Sequence, residues 1–89
     1  MNYRVQVARP ASRQLAVGLP EAVATACVEF IFGALAENPH RVGSRLGAPL
    51  LYQWRARRGE YRVRYLIDED QGVVSVIAIE HLRDVYRSP

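Results

Sequence analysis

The sequence predicts a small single-domain α+β fold, in which an N-terminal helical hairpin covers one face of a sheet of about four strands. The chain has 89 residues, the size of one domain, and 49% are apolar, enough for a core without disulfide staples. Apolar residues in the first half recur at helical spacing. The second half alternates apolar and polar residues around a turn signal at Arg58-Gly59.

Tyr3-Arg4-Val5-Gln6-Val7-Ala8 alternates and reads as a first strand, which Pro10 ends. Residues 10–17 can form a short helix that stops at Gly18. Leu19-Pro20-Glu21 opens a second helix, with proline early and an acid at the positive end. Along it Val23, Cys27, Phe30, Ile31, Ala34 and Leu35 form the core-facing stripe, and Asn38-Pro39 ends it. Residues 40–49 read as a loop, with Gly43 and Gly47 as ordinary turn glycines. Asp68-Glu69-Asp70-Gln71-Gly72 is a solvated acidic turn. Residues 72–79 are β-prone and apolar on both faces, which places them in the sheet interior.

Between these elements lies Tyr52 to Tyr65, two strands folded back on each other. A two-residue loop at Arg58-Gly59 predicts the pairs Arg57–Glu60, Arg55–Arg62, Gln53–Arg64 and Tyr52–Tyr65. Alternation then puts Tyr52, Trp54, Ala56, Tyr61, Val63 and Tyr65 on a core face, and Gln53, Arg55, Arg57, Arg62 and Arg64 on the other. Like charges opposite one another destabilise a sheet, and Arg57 alone has an evident partner, Glu60. A solvated strand face explains such a cluster. So does an anionic ligand, for which the planar, permanently charged guanidinium is suited.

The net charge of +3 understates this asymmetry, because seven arginines and one acid, Glu60, lie between Arg41 and Tyr65. Such a region points to nucleic acid or to an acidic protein. All 12 basic residues are Arg, so no lysine is available as a general base. The single Cys27 cannot form an internal disulfide and reads as a buried small residue in a reducing compartment. No apolar run is long enough to span a membrane and the first residues do not resemble a signal peptide, so a cytoplasmic location is expected.

Several segments, in order and spacing, resemble the RelE/ParE superfamily of bacterial toxin–antitoxin toxins, on the RelE side. They are Leu19-Pro20, Asn38-Pro39-His40-Arg41-Val42-Gly43, Leu46-Gly47, the run Arg58-Gly59-Glu60-Tyr61-Arg62-Val63-Arg64-Tyr65-Leu66-Ile67-Asp68, and His81-Leu82-Arg83-Asp84-Val85-Tyr86. The resemblance spans nearly the whole chain. It implies a twisted antiparallel sheet with helices on one side and a basic groove on the other. RelE-like members cut messenger RNA in the ribosomal A site, whereas ParE-like members poison DNA gyrase. The cut, which takes no metal or cofactor, has the substrate 2′-hydroxyl attack the adjacent phosphate to leave a cyclic phosphate. It requires charge stabilisation and two proton transfers.

The resemblance implies Arg62 as the catalytic arginine, joined by Arg55 opposite it in the expected register. Arg57, Arg64, Arg45, Gln53 and Arg83 would extend the phosphate-binding face. The family's Lys-x-Lys pair is replaced by Gln53 and Arg55, neither of which can exchange a proton near neutrality. That leaves His81 and Tyr86 as catalytic proton-transfer residues. Leu82 stands where the family usually has an arginine after the histidine. The expected function is a ribosome-dependent endoribonuclease toxin, held in a hetero-oligomer by a RelB-like antitoxin that covers the arginine groove. A ParE-like gyrase poison, which needs no acid–base residue, and a binding-only relative are the alternatives.

Overall fold

The computed structural model describes residues 2–50 and 52–82. The first strand, β1 (Arg4–Val7), exposes Arg4 and Gln6 and half-buries Val5 and Val7, as its alternation predicts. Pro10 lies in the first turn of α1 (Arg9–Arg13), where its missing N–H is not needed. The helix runs on through a wide, π-type turn, Gln14–Gly18, so the expected first helix is present. Helix α2 (Glu21–Phe30) starts after Pro20 and continues as a second π-type turn, Ile31–Leu35.

The segment 40–49 is more ordered than a loop. Asn38 caps a short helix, α3 (Pro39–Val42), its side-chain oxygen accepting the Arg41 N–H at 3.2 Å. A two-residue strand, β2 (Ser44–Arg45), follows. With β3 (Trp54–Arg58), β4 (Tyr61–Asp68) and β5 (Val73–His81) it completes a five-stranded sheet of order β1-β5-β4-β3-β2. The sheet therefore has one strand more than the sequence suggested. It is also not wholly antiparallel, because β1 runs parallel to β5. The helices carry the chain from the β1 edge to the β2 edge, and the meander β2-β3-β4-β5 returns beside β1 in the same direction.

The predicted stripe is the helical half of the core. Cys27, Phe30, Ile31 and Leu35 are buried, with Val23 and Ala34 packed beside them. Against them lie Ala56, Val63, Tyr65, Val74, Val76 and Ile79 of the sheet. Each fully buried Ile or Leu contributes about 1.5–3 kcal/mol relative to exposure. Burial also pushes the Cys27 thiol upward and leaves it unreactive. Among the described residues no helix is long and apolar enough to cross a membrane.

Strand β5 breaks its own alternation. Tyr65 pairs with Val76 but Arg64 pairs with Ala78, so Ile77 is the extra residue of a β-bulge. Val74 and Val76 are buried before it and Ile79 after it. Unbroken alternation would turn Ile79 outward and send Glu80 into the core.

Candidate functional site

The β3–β4 hairpin turns at Gly59-Glu60, one residue later than predicted. Gly59 has φ +59° and Glu60 does not have a positive φ, the pattern of a II′ turn. A turn at Arg58-Gly59 would have required the left-handed conformation of Arg58, which has a Cβ to accommodate. The register is accordingly Arg57↔Arg62, Arg55↔Arg64 and Trp54↔Tyr65, in place of the expected Arg55–Arg62, Gln53–Arg64 and Tyr52–Tyr65. Moving the turn by one residue moves each partner by two, an even step, so within β3 and β4 the two faces keep their predicted members. Arg58 leaves the turn and pairs with Tyr61, its guanidinium 4.2 Å from the centre of the Phe30 ring.

On the face away from the core the arginines stand in two facing pairs. Arg55 and Arg57 on β3 are exposed, and Arg62 and Arg64 on β4 are half-buried. The half-buried pair meets a carboxylate that the sequence did not single out. Glu80 lies opposite Arg62 on β5. Its Oε1 accepts from Nε and a terminal nitrogen of Arg62 at 3.0 and 2.9 Å, and from Nε of Arg64 at 3.0 Å. The other arm of Arg64 donates to Gln53 Oε1 at 2.7 Å, so these two remain neighbours without being ladder partners. Four guanidiniums and one carboxylate leave the face at +3, still attractive to an anion.

Other expected site residues lie elsewhere. Glu60, expected beside Arg57, instead has its Oε2 3.9 Å from Nε2 of His81. His81 pairs with Tyr61, and the two rings meet edge to face at 4.8 Å. Alternation assigns both to the side of Val63 and Ile79, opposite Arg62. Arg45 pairs with Trp54 and places its guanidinium 5.6 Å from that ring's centre, on the side away from Arg55. Trp54 stacks on Tyr65 with centroids 6.4 Å apart, in keeping with its reading as a core residue. Tyr52, expected on the core face, is 86% exposed, because β3 begins only at Trp54. Arg83 and Tyr86 lie outside the described residues.

Beneath the arginine face Tyr65 holds the strands to α3. Its hydroxyl donates to the Pro39 carbonyl at 2.6 Å, and burial raises its pKa to about 12. Gly43 has a steric reason, since a Cβ there would run into the Tyr65 hydroxyl and the Arg55 carbonyl oxygen. The open cleft lined by Arg45, Tyr52, Trp54, Asp68, Glu69 and Asp70 is a separate feature, and its acids disfavour phosphate. Among the described residues no group of three or more His, Cys, Asp or Glu converges as a metal site.

A family model described as the ParE toxin of type II toxin–antitoxin systems matches residues 13–86. Toxin RelE of Mycobacterium tuberculosis is 46% identical over 85 residues, which cover 96% of this chain and 87% of that protein. Toxin RelG of the same organism is 40% identical over 87 residues, covering 98% and 99% of the two chains. In the crystal structure of the M. tuberculosis RelBE2 toxin–antitoxin complex, a chain 38% identical superimposes with a TM-score of 0.87, covering 91% of this chain and 99% of that one.

Proposed function

This chain belongs to the ParE toxin family of type II toxin–antitoxin systems, and on that premise we propose that it is an endoribonuclease of the RelE type, cutting messenger RNA in the ribosomal A site. The observation that supports the reading most directly is the pair of facing arginine rungs, Arg57↔Arg62 and Arg55↔Arg64. Guanidiniums on a solvent-facing sheet can hold a phosphodiester and the added charge of its phosphorane, and each such donor is typically worth about 3–4 kcal/mol of barrier. Arg62, Arg55, Arg57 and Arg64 take that role. Gln53 orients Arg64, and Arg83 contacts a flanking phosphate. Of the two expected proton-transfer residues, Tyr86 is left to protonate the leaving 5′ oxygen, because His81 pairs with Tyr61 on the other side of the sheet.

The partner in resting cells is an antitoxin, as in the RelBE2 toxin–antitoxin complex. An acidic or helical segment that covers exposed Arg55 and Arg57 would silence the site by occupying it. The cytoplasm is the location, where both ribosome and antitoxin are found.

Purified protein incubated with programmed ribosomes, with breaks mapped by primer extension, tests the proposal. Wild type cuts in the A site and Arg62→Ala cuts about 10²–10³-fold more slowly. Intact message together with DNA damage signalling in expressing cells would move the chain to the gyrase-directed side of the superfamily.

A further inference from the structure

We infer that Glu80 is the general base of the arginine face, taking the proton of the attacking 2′-hydroxyl. The inference rests on the endoribonuclease reading above. On that reading the face binds phosphate, but its arginines and Gln53 exchange protons poorly. Gln53 has no proton-accepting function at neutral pH, and arginines stay charged. His81 belongs by register to the other side of the sheet. Glu80 is the carboxylate that stands directly among the arginines, and it is there because the bulge at Ile77 turns it out of the core.

Its surroundings offset one cost of the task. A carboxylate beside a phosphodiester ordinarily suffers repulsion. Here Arg62 and Arg64 donate three N–H groups to Glu80 Oε1, and exposed Arg55 and Arg57 lie next to them. The bonds gathered on one oxygen also fix the orientation of the carboxyl group. Arg57, Arg62 and Glu80 form one row across three strands, about 10 Å from end to end. Proton transfer to Glu80 requires an RNA bound so that a phosphate held between Arg57 and Arg62 has its neighbouring ribose hydroxyl on the Glu80 side.

The step balances as follows. The O2′–H bond breaks and its proton passes to a carboxylate oxygen of Glu80. The bond from O2′ to phosphorus forms as the bond from phosphorus to O5′ breaks, and O5′ takes a proton from a separate donor or from water. The products are a 2′,3′-cyclic phosphate and a 5′-hydroxyl, and Glu80 returns its proton to solvent.

A purely structural Glu80 would only neutralise and align the arginines. Glu80→Gln keeps an accepting oxygen for alignment but loses both charge and basicity, so the pH profile and a 5′-sulfur substrate separate the roles. Single-turnover cleavage on programmed ribosomes is measured for wild type, Glu80→Gln and Glu80→Ala, each checked for a cooperative melting transition and for ribosome co-sedimentation. Glu80→Gln is expected to bind ribosomes as wild type does and to cut about 10²–10³-fold more slowly, its rate climbing steeply with pH as hydroxide replaces the base. The deficit is expected to persist on a substrate with sulfur at the bridging 5′ position, whose departure needs no acid. Glu80→Asp, a second variant that keeps a carboxylate, should retain more activity than Glu80→Ala. Wild-type cleavage with an undiminished Glu80→Gln rate overturns the assignment and leaves the endoribonuclease reading standing. Absence of cleavage by wild type removes both.

Discussion

The two faces of the β3–β4 hairpin are built from the same alternation and solve opposite problems. On one face Ala56, Val63 and Tyr65 are buried against the helices, and each side chain is held by neighbours on every side. On the other face four arginines stand in opposed pairs, an arrangement that destabilises a sheet unless it is compensated. Among the described residues, compensation reaches only half of it. Arg62 and Arg64 are bonded to Glu80, while Arg55 and Arg57 face solvent. One face thus carries stability, and the other keeps exposed positive charge.

The sharpest way to break that contrast is to cut into the core face. Ile79, 2% exposed on β5, should cost about 2–5 kcal/mol when replaced by alanine, read as a lower urea midpoint at unchanged slope. A loss below 1 kcal/mol would mean that the helices do not pack there as described.

A smaller effect comes from Tyr65, which joins the core face to α3. Burial raises its pKa to about 12, against roughly 10 for a tyrosine in the unfolded chain. Below pH 10 both states keep the proton and its contribution is complete. As pH rises from 10 to 12 the unfolded chain gives up a proton that the folded chain retains, so stability falls by up to about 3 kcal/mol. Urea midpoints at mildly and strongly alkaline pH should therefore drop more for wild type than for Tyr65→Phe, which cannot ionise. Equal drops would place the alkaline sensitivity elsewhere.

The smallest effect on stability belongs to the open face. Arg57→Ala should change the unfolding free energy by no more than about 0.5 kcal/mol, with a slight gain from relieved repulsion against Arg62. The same substitution should weaken ribosome-dependent cleavage clearly. A large loss of stability with unchanged cleavage would reverse the roles assigned to the two faces.

Much of this was legible in the sequence. The stripe Cys27, Phe30, Ile31 and Leu35 follows from helical periodicity, and the membership of both hairpin faces follows from a period of two. The faces survived an error in the turn because side-chain direction depends on parity alone. What periodicity could not reveal was whatever depends on a break in it. Glu80 and His81 are adjacent in a strand that reads as uniformly apolar before them, and nothing local says which of the two faces the arginines. One extra residue at Ile77 decides it. A partial signal was present, since Ile79 and Glu80 cannot both obey the alternation that buries Val74 and Val76. Arg45 was misplaced for a related reason, because the two-residue β2 is too short to show a period.

The sequence by itself therefore determined the elements other than α3 and β2, the core stripe, the two faces and the family, all of which rest on local spacing or on motifs. Tertiary structure alone decided the partners across the sheet: Arg57 with Arg62, Glu80 beneath both Arg62 and Arg64, and His81 turned to Tyr61. Ladder register and bulge position are set by which residues reach the core when five strands and the helices pack at once, and no single segment holds that information.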